Sequence, residues 1–241
     1  MFTIIIILTL VVVVLVAALM KRPAEEIDPH EGQVYINDGF GMVWMTPLEG
    51  VDVNNISQSD IVRYDGVPKY VGEGYETLRG VDVSEHQYDI DWAAVAASGV
   101  DFAYIRLGYR GYTQGGLFED AYFKANIEGA KSNGIKVGVY FFSQAINVQE
   151  AIEEADFVLE RIEQYDIDLP VMYDWEKMEE AGADARTYQL DTAILDECAV
   201  AFCETVKAAG YTPGVYYNLD YYRNYVEKDR FSGLAIWYAQ Y

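Results

Sequence analysis

Apolar and polar positions along the chain fall into three regimes. Residues 1–20 are nearly unbroken Ile, Val, Leu and Ala, closed by Lys21-Arg22. About 20 apolar residues are enough for one membrane span. Residues 23–78 are more polar, with short apolar runs flanking a turn at two places, Asn37-Asp38-Gly39 and Asp65-Gly66. Each reads as a β-hairpin, so this region is expected to form a small β-rich stalk. From Gly80 onward two periods alternate. Runs at Gly80–Val83, Phe102–Leu107, Lys136–Phe142, Leu169–Asp174, Thr212–Tyr217 and Leu234–Tyr238 read as strands, with helical stretches between them. The clearest helix carries Val148, Ala151, Ile152, Ala155, Val158, Leu159 and Ile162 on one face, with Glu153, Glu154, Glu160 and Glu163 outside. Repeated strand–helix units imply an α/β fold, a parallel sheet covered by helices and either closed as a barrel or open.

In such sheets the functional site lies at the C-terminal ends of the strands. Asp82, Tyr140, Phe142, Asp174, Glu176, Tyr216 and Tyr238 all fall at or near those ends. Leu169-Pro-Val-Met-Tyr-Asp-Trp-Glu176 is the most informative stretch, a short apolar run closed by two carboxylates spaced i, i+2. Alternation along a strand puts both acids on one side, their Cβ atoms roughly 7 Å apart. Two acids sharing a cleft repel each other as anions, which raises one pKa and leaves that group able to donate a proton. That is the equipment for breaking a glycosidic bond. Trp175 and the apolar strand favour a desolvated, protonated Glu176, while Asp174 is expected to stay ionised. His86 beside Ser84 has the wrong spacing for a nucleophilic triad. A chitinase-type Asp-x-x-Asp-x-Asp-x-Glu pattern fails, because Leu169 and Met172 stand where it needs acids.

Charge narrows the partners. With 39 acidic and 17 basic residues the formal net charge is -22, which repels phosphate backbones and argues against nucleic acid. The 21 tyrosines offer flat apolar faces with polar tips, suited to sugar rings as well as to a core. Cys198 and Cys203 sit about 140° apart on one helix, so they cannot pair within it and read as small core residues. With His30 and His86 the only histidines, no histidine-rich metal centre is expected, and no cofactor.

Five stretches in order resemble glycoside hydrolase family 25, the lysozymes (N-acetylmuramidases) of bacteria, phages and some fungi. They are Gly80-Val-Asp-Val-Ser-Glu-His-Gln87 with Ile90-Asp-Trp92, Phe102-Ala-Tyr-Ile-Arg-Leu-Gly108, Val137-Gly-Val-Tyr-Phe-Phe-Ser143, Asp174-Trp-Glu176 and Ile236-Trp-Tyr-Ala-Gln-Tyr241. The resemblance spans about residues 79–241. It implies an irregular, TIM-like eight-stranded β/α barrel that cleaves the β-1,4 bond between N-acetylmuramic acid and N-acetylglucosamine in peptidoglycan. By the same resemblance Glu176 is the general acid, Asp174 its partner and Asp82 the first-strand carboxylate. Tyr140, Phe142, Tyr216, Tyr238, Gln87, Arg106 and Gln240 are candidate substrate contacts. Six strands are countable, so the natural chain is expected to continue through two more, bearing a further acid. A peptidoglycan substrate places the domain outside the cytoplasmic membrane, tethered to the lipid bilayer by residues 1–20 as an uncleaved single-pass anchor. Lys21-Arg22 point the other way under the positive-inside rule. The rival reading is a membrane-tethered wall-binding or scaffold protein that keeps the fold without catalysis.

Overall fold

The computed structural model describes residues 28–37, 41–46, 56–64, 66–218, 228–231 and 233–239. The expected span at residues 1–20 and the candidate contact Gln240 lie outside the described residues. Among the described residues no helix is long and apolar enough to cross a membrane.

The chain divides into two units, Met1–Asn55 and Ile56–Tyr241. Among its described residues the first holds an antiparallel ribbon, β1 (Val34–Asn37) with β2 (Met42–Met45), in which Tyr35 lies opposite Trp44. His30 stacks flat on Trp44 with ring centroids 4.0 Å apart, and Tyr35 tilts against it at 4.8 Å. Cross-strand aromatic contacts of this kind are what hold a two-stranded ribbon with little core of its own. The second unit begins with another ribbon, β3 (Ile61–Tyr64) and β4 (Val67–Tyr70), whose turn uses Gly66 at φ 84°. This hairpin, expected in the stalk, falls in the same unit as the sheet.

That sheet contains β5 (Gly80–Val83), β6 (Phe102–Arg110), β8 (Lys136–Ser143), β9 (Val171–Trp175), β10 (Pro213–Asn218) and β11 (Ala235–Ala239), side by side in chain order and all parallel. Helices α1 (Trp92–Ala97), α2 (Phe123–Ser132), α3 (Val148–Ile162) and α4 (Thr192–Ala208) lie in the crossovers. Strand β9 starts at Val171 rather than Leu169, because Pro170 has no N–H for the ladder. Strand β6 runs to Arg110, past its expected end at Leu107, through a register slip between Arg106 and Gly108. Beyond the slip it pairs antiparallel with an unforeseen short strand, β7 (Leu117–Glu119). A Cβ at Gly108 would lie 2.3 Å from the Phe118 carbonyl oxygen, so glycine is what lets β7 close on β6.

Strands β6 and β11 are four spacings apart, about 19 Å if the sheet were flat. Yet the rings of Tyr104 on β6 and Trp237 on β11 stack with centroids 4.9 Å apart. The sheet is therefore curled into a parallel half-barrel, with Trp237 packed inside it against Tyr104, Tyr140 and Tyr216. Strands β5 and β11 do not pair with each other. Along the seam between them opens a cavity of about 430 Å³, lined by Asp82, Tyr104, Met172 and Trp237 among others.

The main core lies between the sheet's outer face and the helices. Ile105 and Leu107 of β6, with Val137, Val139 and Phe141 of β8, meet Ile127, Ala155, Val158, Ile162 and Phe202, all fully buried. Cys198 and Cys203 are buried there as free thiols. The α3 face follows the expected stripe with two corrections. Val148, expected on the buried face, is exposed. Glu154, expected outside, is fully buried and accepts a hydrogen bond from Arg110 Nε at 2.6 Å. A buried carboxylate needs a cation, and the extension of β6 to Arg110 delivers one.

Candidate active site

Alternation along β9 sorts its side chains. Val171, Tyr173 and Trp175 join the helix-side core, which turns Met172 and Asp174 to the half-barrel interior. Register partners on neighbouring strands share a face, so the ladder defines rows across the interior. The row nearest the C-terminal rim is Phe142, Asp174, Tyr216 and Trp237, on β8, β9, β10 and β11. The row beneath it holds Arg106, Tyr140 and Met172. Asp82 pairs in register with Tyr104, one row further down. Glu176 lies one residue beyond the last residue of β9.

The structure thus brings together Asp174, Glu176, Tyr140, Phe142 and Tyr216, with Arg106 and Asp82 within electrostatic reach of Asp174. Tyr238 is a different case. It sits opposite Tyr217 on the other face of β11, the two rings edge to face at 6.2 Å, while Trp237 takes the interior place; Tyr238 still lines the seam cavity with Asp82 and Trp237. Parity along β11 is the signal that distinguishes them, and it can be read only once the register with Asp174 is known.

Two other candidates are held by the scaffold. Gln87 Oε1 accepts from the Ser84 amide at 2.8 Å, closing a capping box in the turn after β5. Arg106 donates from Nε to Asp120 at 2.7 Å and from Nη2 to Glu85 at 3.0 Å. The same Asp120 oxygen accepts from the Glu85 amide at 2.9 Å. These bonds bind the β5 and β6 exits into one rim and fix the Arg106 charge beneath the acids.

Both acids of the pair are shifted upward. Asp174 is held well above the usual carboxylate range, first by burial and then by the Glu176 carboxylate; Arg106 opposes the shift and Asp82 adds to it. Its Oδ1 is buried without a hydrogen-bond partner. Glu176 is also raised by burial, and a hydrogen bond from the Tyr216 hydroxyl pulls it partway back. The expectation that Asp174 stays ionised on its own is corrected by this burial. Deeper than Glu176 and lacking a direct cation, it holds protons too, and the two carboxyls titrate as a coupled pair. Tyr140 beside Arg106 is raised as well, mainly by burial and then by Asp174.

Sequence reasoning missed one further contact. The main-chain carbonyl of Glu176 accepts from Gln144 Nε2 at 2.8 Å. Gln144 is fully buried; its Nε2 also donates to the Ser143 carbonyl at 2.8 Å, and its Oε1 accepts from the Thr187 hydroxyl at 2.9 Å. Nothing in the local pattern around Gln144 announces a partner 32 residues away.

Residues 81–241 match the model of glycosyl hydrolases family 25. Lysozyme M1 of Streptomyces globisporus is 29% identical over 154 residues, which are 62% of this chain and 43% of that protein. The modular autolysin LytC of Streptococcus pneumoniae, solved with a synthetic peptidoglycan ligand, superposes with a TM-score of 0.59 at 26% identity over 86% of this chain and 47% of LytC. A family 25 glycosyl hydrolase from Bacillus anthracis gives a TM-score of 0.56 at 23% identity, over 70% of this chain and 73% of that one. The chain spans less than half the length of Lysozyme M1 and of LytC. With the family model covering most of its length, the chain belongs to glycosyl hydrolase family 25.

Proposed function

We propose that this protein is a peptidoglycan hydrolase that cleaves the β-1,4 bond between N-acetylmuramic acid and N-acetylglucosamine by carboxylate acid catalysis. The observation that carries the reading is the coupled Asp174–Glu176 pair, both members raised, at the C-terminal end of the strand next to a tyrosine-lined interior. Its lysozyme relatives and the peptidoglycan complex of LytC support the same substrate.

The chemistry follows from the environment of each acid. Burial disfavours the Glu176 anion, so its carboxyl keeps a proton in the range where a solvated glutamate has lost it. That proton goes to the leaving N-acetylglucosamine oxygen. The Tyr216 hydroxyl then donates to the carboxylate left behind. With the pair's proton on Glu176, its negative charge falls on Asp174. There it supports the positive charge developing on the sugar, aided by Asp82. Arg106 opposes the rise at Asp174 and so favours the anion there.

Glu176→Gln keeps shape and hydrogen bonding but removes the transferable proton. Muropeptide release should fall on the order of 10²-fold or more with the circular dichroism spectrum unchanged. Wild-type release by a folded Glu176→Gln protein would move the acid elsewhere, and wall binding without release by the wild type would favour a scaffold.

The apolar run at residues 1–20 supports an uncleaved single-pass anchor, with the hydrolase on the outer side of the membrane where peptidoglycan lies. Protease added to intact cells should then digest the chain beyond residue 23. Protection until lysis would reverse the orientation, in line with Lys21-Arg22.

A further inference from the structure

We infer that Gln144 is a positioning residue for the proton donor, resting on the reading of Glu176 given above. The ladder between β8 and β9 ends at the pair Ser143 and Trp175. The next residues in the same register are Gln144 and Glu176, and there the main chains no longer pair. The Gln144 side chain takes over, donating from Nε2 to the Glu176 carbonyl at 2.8 Å. In effect a side chain adds one more rung to the sheet, at the residue that carries the acid.

The rung is rigid because every polar group of the Gln144 amide is engaged. Nε2 has two hydrogens and two acceptors, the Ser143 and Glu176 carbonyls, while Oε1 accepts from the buried Thr187 hydroxyl. Three segments meet at this one amide: the exit of β8, the exit of β9 and the turn around Thr187. A buried amide at such a junction fixes the direction in which the Glu176 Cα–Cβ bond leaves the backbone. Proton transfer depends on sub-ångström placement of the donor, so loss of the rung should lower turnover far more than substrate binding.

The test is Gln144→Met, which keeps length and apolar volume while removing the donor and the acceptor. The expected result on purified cell walls is kcat lowered 10- to 100-fold with KM within twofold of wild type. The alkaline limb of the pH–rate profile should also move to lower pH, because a displaced Glu176 loses the burial that chiefly raises its proton affinity. A purely structural role would instead lower the folded fraction and leave the profile of the surviving enzyme in place. Thr187→Val, which removes only the hydroxyl holding Oε1, serves where Gln144→Met does not fold, and should give a smaller shift in the same direction. Glu176→Gln run alongside separates the two ideas. If it is inactive while folded Gln144→Met, or Thr187→Val in its stead, has wild-type kcat and profile, the positioning role is wrong and the acid assignment stands. If Glu176→Gln is active, the acid assignment fails and the inference falls with it.

Discussion

Glu154 and Asp174 are both buried carboxyls, and the molecule treats them in opposite ways. Glu154, fully enclosed on α3, has the Arg110 guanidinium against it at 2.6 Å, and Arg110 is further fixed by the carbonyls of Gly115 and Glu150. Burial still pushes Glu154 up to about 7, with Arg110 and Ser143 opposing. Asp174 has an arginine nearby too, but Arg106 spends its hydrogen bonds on Asp120 and Glu85. One acid is neutralised by contact. The other is left with a diverted cation and a second acid beside it. A buried charge is costly wherever it sits, so an acid kept without a direct cation marks the place where proton affinity is put to use.

The largest effect expected from this contrast is at the paired acid. Arg110→Met should lower stability by about 3–5 kcal/mol in urea unfolding, because it strands Glu154 without its cation. The double variant with Glu154→Leu should recover much of that loss. A cost no larger than that of a surface substitution would erase the distinction between the two carboxyls.

A smaller effect of opposite sign is expected at the unpaired acid. The Asp174 carboxyl holds its proton to higher pH in the folded chain than in the unfolded one. The unfolded state therefore releases protons first, and stability falls as pH rises from the ordinary carboxylate range through the raised one. Asp174→Asn removes this dependence. It should unfold at a higher temperature than wild type at pH 8 and show little difference at pH 4. Muropeptide release should meanwhile be crippled. Equal melting temperatures at both pH values would show that Asp174 is not strained by burial.

The smallest change tests the trimming of Glu176. The Tyr216 hydroxyl favours the carboxylate form, so Tyr216→Phe should raise the proton affinity of Glu176 and move the alkaline limb of kcat/KM to higher pH. An unmoved limb would mean that this hydrogen bond does not set the donor's titration.

Much of this was legible in the chain because the relevant signals are local. The strand runs, the α3 stripe and the Asp174–Glu176 spacing are each written within a few consecutive residues. Information carried between distant segments was not. Glu154 looked exposed because its partner Arg110 lies 44 residues away, on a strand extension made possible by Gly108. Strand β7 is three residues long, too short for a periodic pattern. The inward place of Trp237 is not legible in the chain, since the parity of β11 depends on its register with β10. Gln144 was silent for the same reason.

The curl of the sheet leaves a second mark on the molecule. Among the described residues β5 pairs only with β6 and β11 only with β10, so the half-barrel ends in two strand edges that are unlike each other. A strand edge is a template for another strand. The curl sets these two edges on opposite sides of one cavity, and the Trp237 ring of the last strand reaches across to stack on Tyr104 beside the first.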